Sequence, residues 1–153
     1  MEYKLRNSIG FRFNTIGNRI HAMFSKAIEP YGIAPEQFAA MKMISEDGAV
    51  TQSKIAEMLA KAKPTVSRTL DALEKKGLIT RDEDTADRRI KYVRLTDAGR
   101  KVLDEVIPIA KSFNDAIYEQ LTPQEIETFF RILETISNTV EQCTLTGDKH
   151  HEI

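Results

Sequence analysis

Two short stretches carry the residue types best suited to chemistry. Lys63-Pro64-Thr65-Val66-Ser67-Arg68-Thr69 gathers hydroxyls and two cations around a helix start. A helix N-terminus offers unbonded backbone N–H groups and the positive end of the macrodipole, so it suits phosphate oxygens. Arg68 adds a two-pronged donor that matches O6 and N7 of guanine in a major groove. Downstream, Asp87-Arg88-Arg89 and Lys91 sit at a polar loop between two strand-like segments. Arginine there suits the concentrated negative potential of a narrow minor groove. Contact with duplex DNA is therefore expected from Pro64, Thr65, Ser67, Arg68, Thr69, Arg88, Arg89 and Lys91. Gln52, Ser53 and Lys63 are candidates for phosphate contacts, which position a protein without reading sequence. The plain alternatives are an ordinary surface helix and a solvated loop. Asp87 would repel phosphate and is expected to orient a neighbouring arginine through a two-pronged ion pair. Asp82-Glu83-Asp84 beside the tip must turn away from DNA, or the loop contributes less.

Other chemistry finds little support. No nucleophile–base pair, glycine-rich phosphate loop or carboxylate pair stands out, so no enzyme is expected and no cofactor is implied. His21, His150 and His151 are too few and too scattered for a metal site. Cys143, the single cysteine, cannot form an internal disulfide, which agrees with a reducing cytoplasm. No basic helix start lies near it to lower its pKa, so it is expected to be dispensable.

The surrounding elements read mainly as helix. Ile9, Phe13, Ile16, Ile20, Phe24 and Ala27 recur at helical spacing over residues 5–29, until Pro30 and Gly32. A second helix opens at Pro35 and buries Phe38, Ala40, Met41 and Ile44 before Asp47-Gly48. Thr51 can cap a third, with Ile55, Ala56 and Leu59 inward. Pro64 starts a fourth, with Val66, Leu70 and Leu73 inward and Gly77 as its left-handed stop. Residues 78–81 and 90–95 read as two strands. Thr96 caps a long fifth helix, which Pro108 should kink or interrupt. Thr122-Pro123-Gln124-Glu125 is a capping box for a sixth, and the tail after Leu145 is polar and expected to fray. This is a mainly α chain with a small two- or three-stranded antiparallel β wing. In order of elements it is a winged helix-turn-helix lobe plus a helical dimerisation region.

The totals fit. The 153 residues allow one or two small domains, and 41% hydrophobic with 29% charged residues describes a soluble globular protein. No apolar run approaches the roughly 20 residues of a membrane span. The start, Met1–Arg6, lacks the apolar segment of a secretion signal. A cytoplasmic protein that does not touch the membrane is expected. The net charge of −1 hides a division: residues 51–101 carry 13 basic and 8 acidic groups, and residues 102–153 carry 3 and 10. The basic middle can supply an electrostatic footprint while the acidic end faces away from phosphates. The first, fifth and sixth helices each carry a wide apolar stripe. One chain cannot bury them all beyond a small lobe, so a homodimer is expected.

Four stretches in this order resemble the MarR family of transcriptional regulators, over almost the whole chain. They are Gly32-Ile33-Ala34-Pro35-Glu36-Gln37-Phe38, Thr51-Gln52-Ser53-Lys54-Ile55-Ala56, Leu73-Glu74-Lys75-Lys76-Gly77-Leu78-Ile79, and Asp87-Arg88-Arg89 followed by Leu95-Thr96 and Gly99. Pro64 departs from the usual recognition-helix start, though helix geometry tolerates it. The resemblance implies an obligate homodimer with intertwined first, fifth and sixth helices. It also implies a pseudo-palindromic operator, usually repression, and in many members release by a small aromatic or phenolic effector. On this basis residues 1–32 with 103–153 form the dimerisation region, and residues 33–102 the DNA-binding lobe. Oxidant-sensing members carry their cysteine in the N-terminal helices, where this chain has none. An effector pocket is expected between the first, second and fifth helices, lined by His21, Phe24 and Met41, unless those residues only fill the core. The competing function is a winged-helix protein-interaction module that has lost DNA binding.

Overall fold

The computed structural model describes residues 4–147. His150, His151 and the last part of the polar tail lie outside the described residues. The chain divides into two compact units, Met1–Ala110 and Lys111–Ile153.

In the first unit, local caps set each helix. After a short 3-10 turn, the Ser8 hydroxyl accepts the Phe11 amide and opens α1, Ile9–Ile28. A second 3-10 turn, Glu29–Tyr31, closes on Gly32 at φ 69°. α2 runs Pro35–Asp47, and the Gln37 side chain accepts the Ala34 amide at 3.1 Å. α3, Gln52–Met58, is capped by Thr51, whose Oγ1 accepts the Lys54 amide at 3.2 Å. α4 spans Lys63–Lys75, so it begins one residue before Pro64. Proline still falls in the first turn, where its missing N–H is harmless. α4 ends on Gly77 at φ 72°, with the Leu78 amide bonded back to the Leu73 carbonyl at 3.0 Å.

The sheet has three strands, not only the two legible in the pattern. β2, Ile79–Glu83, pairs antiparallel with β3, Lys91–Leu95, and β3 also pairs with β1, Val50–Thr51. The register sets Val50 opposite Val93 and Ile79 opposite Leu95. Val50, Ile79, Val93 and Leu95 are all buried. They join Ala40, Met41, Ile44, Ile55, Val66, Leu70, Leu73, Leu103 and Val106 in one core. Phe24 of α1 meets Phe38 of α2 edge-on, with ring centroids 5.2 Å apart.

α5 runs Asp97–Tyr118 and continues through Pro108. In the second unit, α6 spans Pro123–Gly147 behind the expected capping box. The Glu125 carboxylate accepts the Thr122 amide at 2.8 Å, and Thr122 Oγ1 accepts the Glu125 amide at 3.3 Å. The stripes of the first and sixth helices stay open. Ile9, Phe13, Ile16 and Ile20 on α1, and Phe129, Phe130, Ile132 and Val140 on α6, are exposed.

The start of α5 locks onto the end of α4. Thr96 Oγ1 donates to the Gly77 carbonyl at 2.7 Å and accepts the Gly99 amide at 3.0 Å. The Thr96 amide donates to the Leu78 carbonyl at 3.1 Å. A Cβ added at Gly99 would overlap that same Leu78 carbonyl oxygen. Since the obstacle is backbone, no side-chain rotation relieves it. Gly99→Ala is expected to cost about 2–3 kcal/mol, read as a lower urea midpoint at unchanged slope.

Candidate nucleic-acid interface

The polar loop between β2 and β3 is built by side chains that imitate backbone. Asp84 Oδ1 accepts the Ala86 amide at 2.8 Å and the Asp87 amide at 3.0 Å. These amides, Asp87 first, hold the Asp84 carboxyl below its ordinary pKa. The Asp84 amide donates to the Ile90 carbonyl, and the Ile90 amide to the Asp87 carbonyl, each at 2.9 Å. Asp82 lies 3.7 Å from Arg94 Nε. Asp82 and Asp84 are thus engaged within the wing.

Asp87 does not make the expected guanidinium pair among the described residues. Its Oδ1 accepts the Arg89 backbone amide at 3.0 Å. A two-residue step lets an aspartate close a turn on itself, and that geometry competes with reaching a side chain. Asp87 therefore fixes the backbone of Arg89 and leaves the guanidinium exposed.

Three elements meet around a groove of about 540 Å³. Thr51, Gln52 and Ser53 come from the start of α3. Lys63, Ser67 and Asp71 come from α4, one helical turn apart, and Arg81, Arg89, Ile90 and Lys91 come from the wing. Gln52, Ser53, Lys63, Ser67, Arg89 and Lys91 are thereby brought together. Pro64 and Arg88 are exposed and line no wall of it.

The remaining candidates on α4 face a second hollow. Thr65, Arg68 and Thr69, with Val66 and Ala72, form one wall of a mostly apolar cavity of about 610 Å³. Pro35, Glu36, Gln37 and Ala39 of α2 face them, with His21 of α1, Leu59 and Lys61. His21 Nε2 stands 2.7 Å from Glu36 Oε1. Burial works to raise the Glu36 pKa. Its own backbone amide, His21 and Lys61 outweigh that and hold it below its ordinary value. The cavity lies against α4, not α5, and of the three expected lining residues only His21 borders it. Met41 is fully buried, and Phe24 is engaged with Phe38. Helical spacing marks both as inward but does not say whether a void remains beside them.

Sequence reasoning missed Arg81. Its side chain is 16% exposed and reaches from β2 to two carboxylates of α4. Nη2 lies 2.6 Å from Asp71 Oδ1 and 2.6 Å from Glu74 Oε2, with Nε 3.2 Å from the same Glu74 oxygen. The hydrogen bond from Arg81, against a smaller opposing effect of burial, holds the Glu74 carboxyl below its ordinary pKa. The available signal is an arginine on the strand that follows, across a glycine turn, a helix carrying Asp71 and Glu74 near its end.

A helix-turn-helix with an arginine-bearing wing, a three-element groove and a helical extension defines the winged-helix transcription regulators. The comparisons agree. The MarR family model matches residues 33–91. The transcriptional regulator HosA of Escherichia coli O127:H6 is 33% identical over 103 residues, 67% of this chain and 76% of HosA. The Staphylococcus aureus MepR–DNA complex superposes with a TM-score of 0.81 at 28% identity, covering 87% of this chain and 98% of that one. A probable transcriptional regulator from Pseudomonas aeruginosa gives a TM-score of 0.75 at 32% identity, covering 87% and 99%. The chain belongs to the MarR family, a family of DNA-binding transcriptional regulators and not of enzymes.

Proposed function

We propose that this protein is a cytoplasmic, homodimeric repressor that holds a pseudo-palindromic operator and releases it to a small aromatic or phenolic effector. The groove carries the proposal: it joins the start of α3, one face of α4 and the wing, with Lys63, Arg89 and Lys91 on its walls. α4 enters the major groove, where Arg68 reads a base edge and Thr65, Ser67 and Thr69 make shorter contacts. Gln52, Ser53, Lys63 and Pro64 approach the backbone, and Arg88, Arg89 and Lys91 serve the wing. The MepR complex with DNA, on a related fold, supports the same use.

Arg68→Ala should weaken operator binding by about 1–3 kcal/mol and relax preference at one position per half-site. Arg89→Ala should weaken binding to most sequences and lower the salt slope by about one unit. Half-site centres should lie one helical turn apart. Affinity against salt for both variants, on operator and scrambled duplexes, separates the roles. If neither substitution changes affinity, DNA binding through this surface is wrong and the protein-interaction module becomes the better account.

Residues 1–32 and 103–153 form the proposed dimerisation region, and residues 33–102 the lobe. The open apolar residues of α1 and α6 support a second copy as their cover. Phe130→Glu should unfold the chain or greatly weaken dimerisation, measured by sedimentation across concentration. A stable, folded monomer of the unaltered chain at micromolar concentration would refute this.

The effector is assigned to the apolar cavity beside α4. Its walls are mainly Pro35, Ala39, Leu59, Val66 and Ala72, with Lys61 and Arg68 available to an acidic group. A ligand there touches the helix that carries Arg68, so it acts on the DNA-reading side chain itself. Salicylate-like acids should raise the melting temperature and release operator DNA, and Ala39→Phe should abolish both responses. If such compounds neither stabilise the chain nor release DNA, this assignment fails.

A further inference from the structure

Asp71 stands on the same face of α4 as Lys63 and Ser67, on a wall of the groove assigned to DNA. Glu74 follows it on the same helix. A carboxylate there repels phosphate, and two repel it more. Both are only partly shielded from water, with 56% and 42% of their side chains exposed. Arg81 is the group that meets them, and it does so from the wing side while remaining largely covered itself. Its planar fork lets one guanidinium serve both acids, which an ammonium of the same charge would do less well.

We propose that Arg81 is a positioning residue for DNA binding that acts by charge: it masks Asp71 and Glu74 so that the groove presents a positive face, without touching DNA itself. The inference rests on the DNA-binding use of the groove proposed above. The competing role is mechanical, with Arg81 only fastening β2 to α4. The two roles part when the acids are removed. A fastener is lost with either partner, whereas a mask is unnecessary once its targets are neutral.

The test uses the full chain and a fluorescent duplex oligonucleotide, with anisotropy titrations over a range of salt. Arg81→Met should weaken binding about tenfold at low salt, and the deficit should shrink as salt rises. Asp71→Asn with Glu74→Gln, keeping Arg81, should bind tighter than the unaltered chain and with a steeper salt slope. Adding Arg81→Met to that pair should return affinity to at least the unaltered level. A triple variant as weak as Arg81→Met, or a carboxamide pair that binds no tighter than the unaltered chain, overturns the inference. Circular dichroism checks folding. If Arg81→Met does not fold, the carboxamide pair decides alone. If the unaltered chain itself shows no salt-dependent binding while folded, the interface reading falls and takes this inference with it. A bound unaltered chain with an unrecovered triple variant condemns only the masking role.

Discussion

The first unit depends on one close approach of backbone to backbone. The end of α4, the return of β3 and the start of α5 meet at Gly77, Leu78, Thr96 and Gly99. The Leu78 carbonyl accepts the Thr96 amide, and the bare Cα of Gly99 leaves room for that same oxygen. The Thr96 hydroxyl answers two needs at once, since it caps α5 and takes up the otherwise unpaired Gly77 carbonyl. Leu78 and Gly99 are buried, where a backbone group left without a partner is costly, so this knot admits few alternatives. It also fixes where β2 leaves α4, and with it the direction of the wing relative to the helix that shares its groove. The distance between the wing arginine and the α4 side chains is therefore decided at residues that line no groove.

α4 works as a partition. Its buried stripe, Val66, Leu70 and Leu73, anchors it in the core, and its two flanks face different hollows. Lys63, Ser67 and Asp71 repeat every four residues toward the wing. Thr65, Arg68, Thr69 and Ala72 repeat at three and four toward α1 and α2. On the proposed reading, an effector in the cavity would act on Arg68 through direct contact. No long chain of intermediates would then be required, since the helix that carries Arg68 also forms the cavity wall.

Much of this was legible because it is local. Helix caps at Thr51, Thr96 and Thr122 depend on residues three positions away, and the buried stripes on helical spacing, so both appear in the string of residues. The grouping of Gln52, Ser53, Lys63 and Arg89 was also legible, since the order of elements folds the hairpin back across α4. What escaped was set by tertiary distance. β1 is two residues long, too short for any alternation, and exists because Val50 finds Val93. Arg81 takes its meaning from acids seven and ten positions earlier, across the break at Gly77 where the chain changes from helix to strand, so neither period carries from one to the other. The cavity is a matter of missing volume, and residue types describe what fills space better than what leaves it empty. Asp87 differs for the opposite reason: the Arg89 amide, two residues on, is nearer than any guanidinium and takes its carboxylate first.

Charge ties these observations together. A chain with a net charge of −1 is an unpromising partner for a polyanion. The basic middle segment improves matters only if its own acids are kept from the groove. Five of the acids nearest the wing and α4 have an occupation. Asp84 closes the turn, Asp87 holds the Arg89 amide, Asp82 lies by Arg94, and Asp71 with Glu74 share Arg81. Exposed pairs of this kind contribute little to stability, commonly about 0–1 kcal/mol each. Their larger effect is on the field. A carboxylate already bonded to amides or a guanidinium projects less negative potential toward an approaching phosphate than a bare one, and Lys63, Arg89 and Lys91 then dominate the groove. Folding thus sorts a nearly balanced set of charges into engaged acids and available bases, and on the proposed reading that sorting suits this surface to DNA.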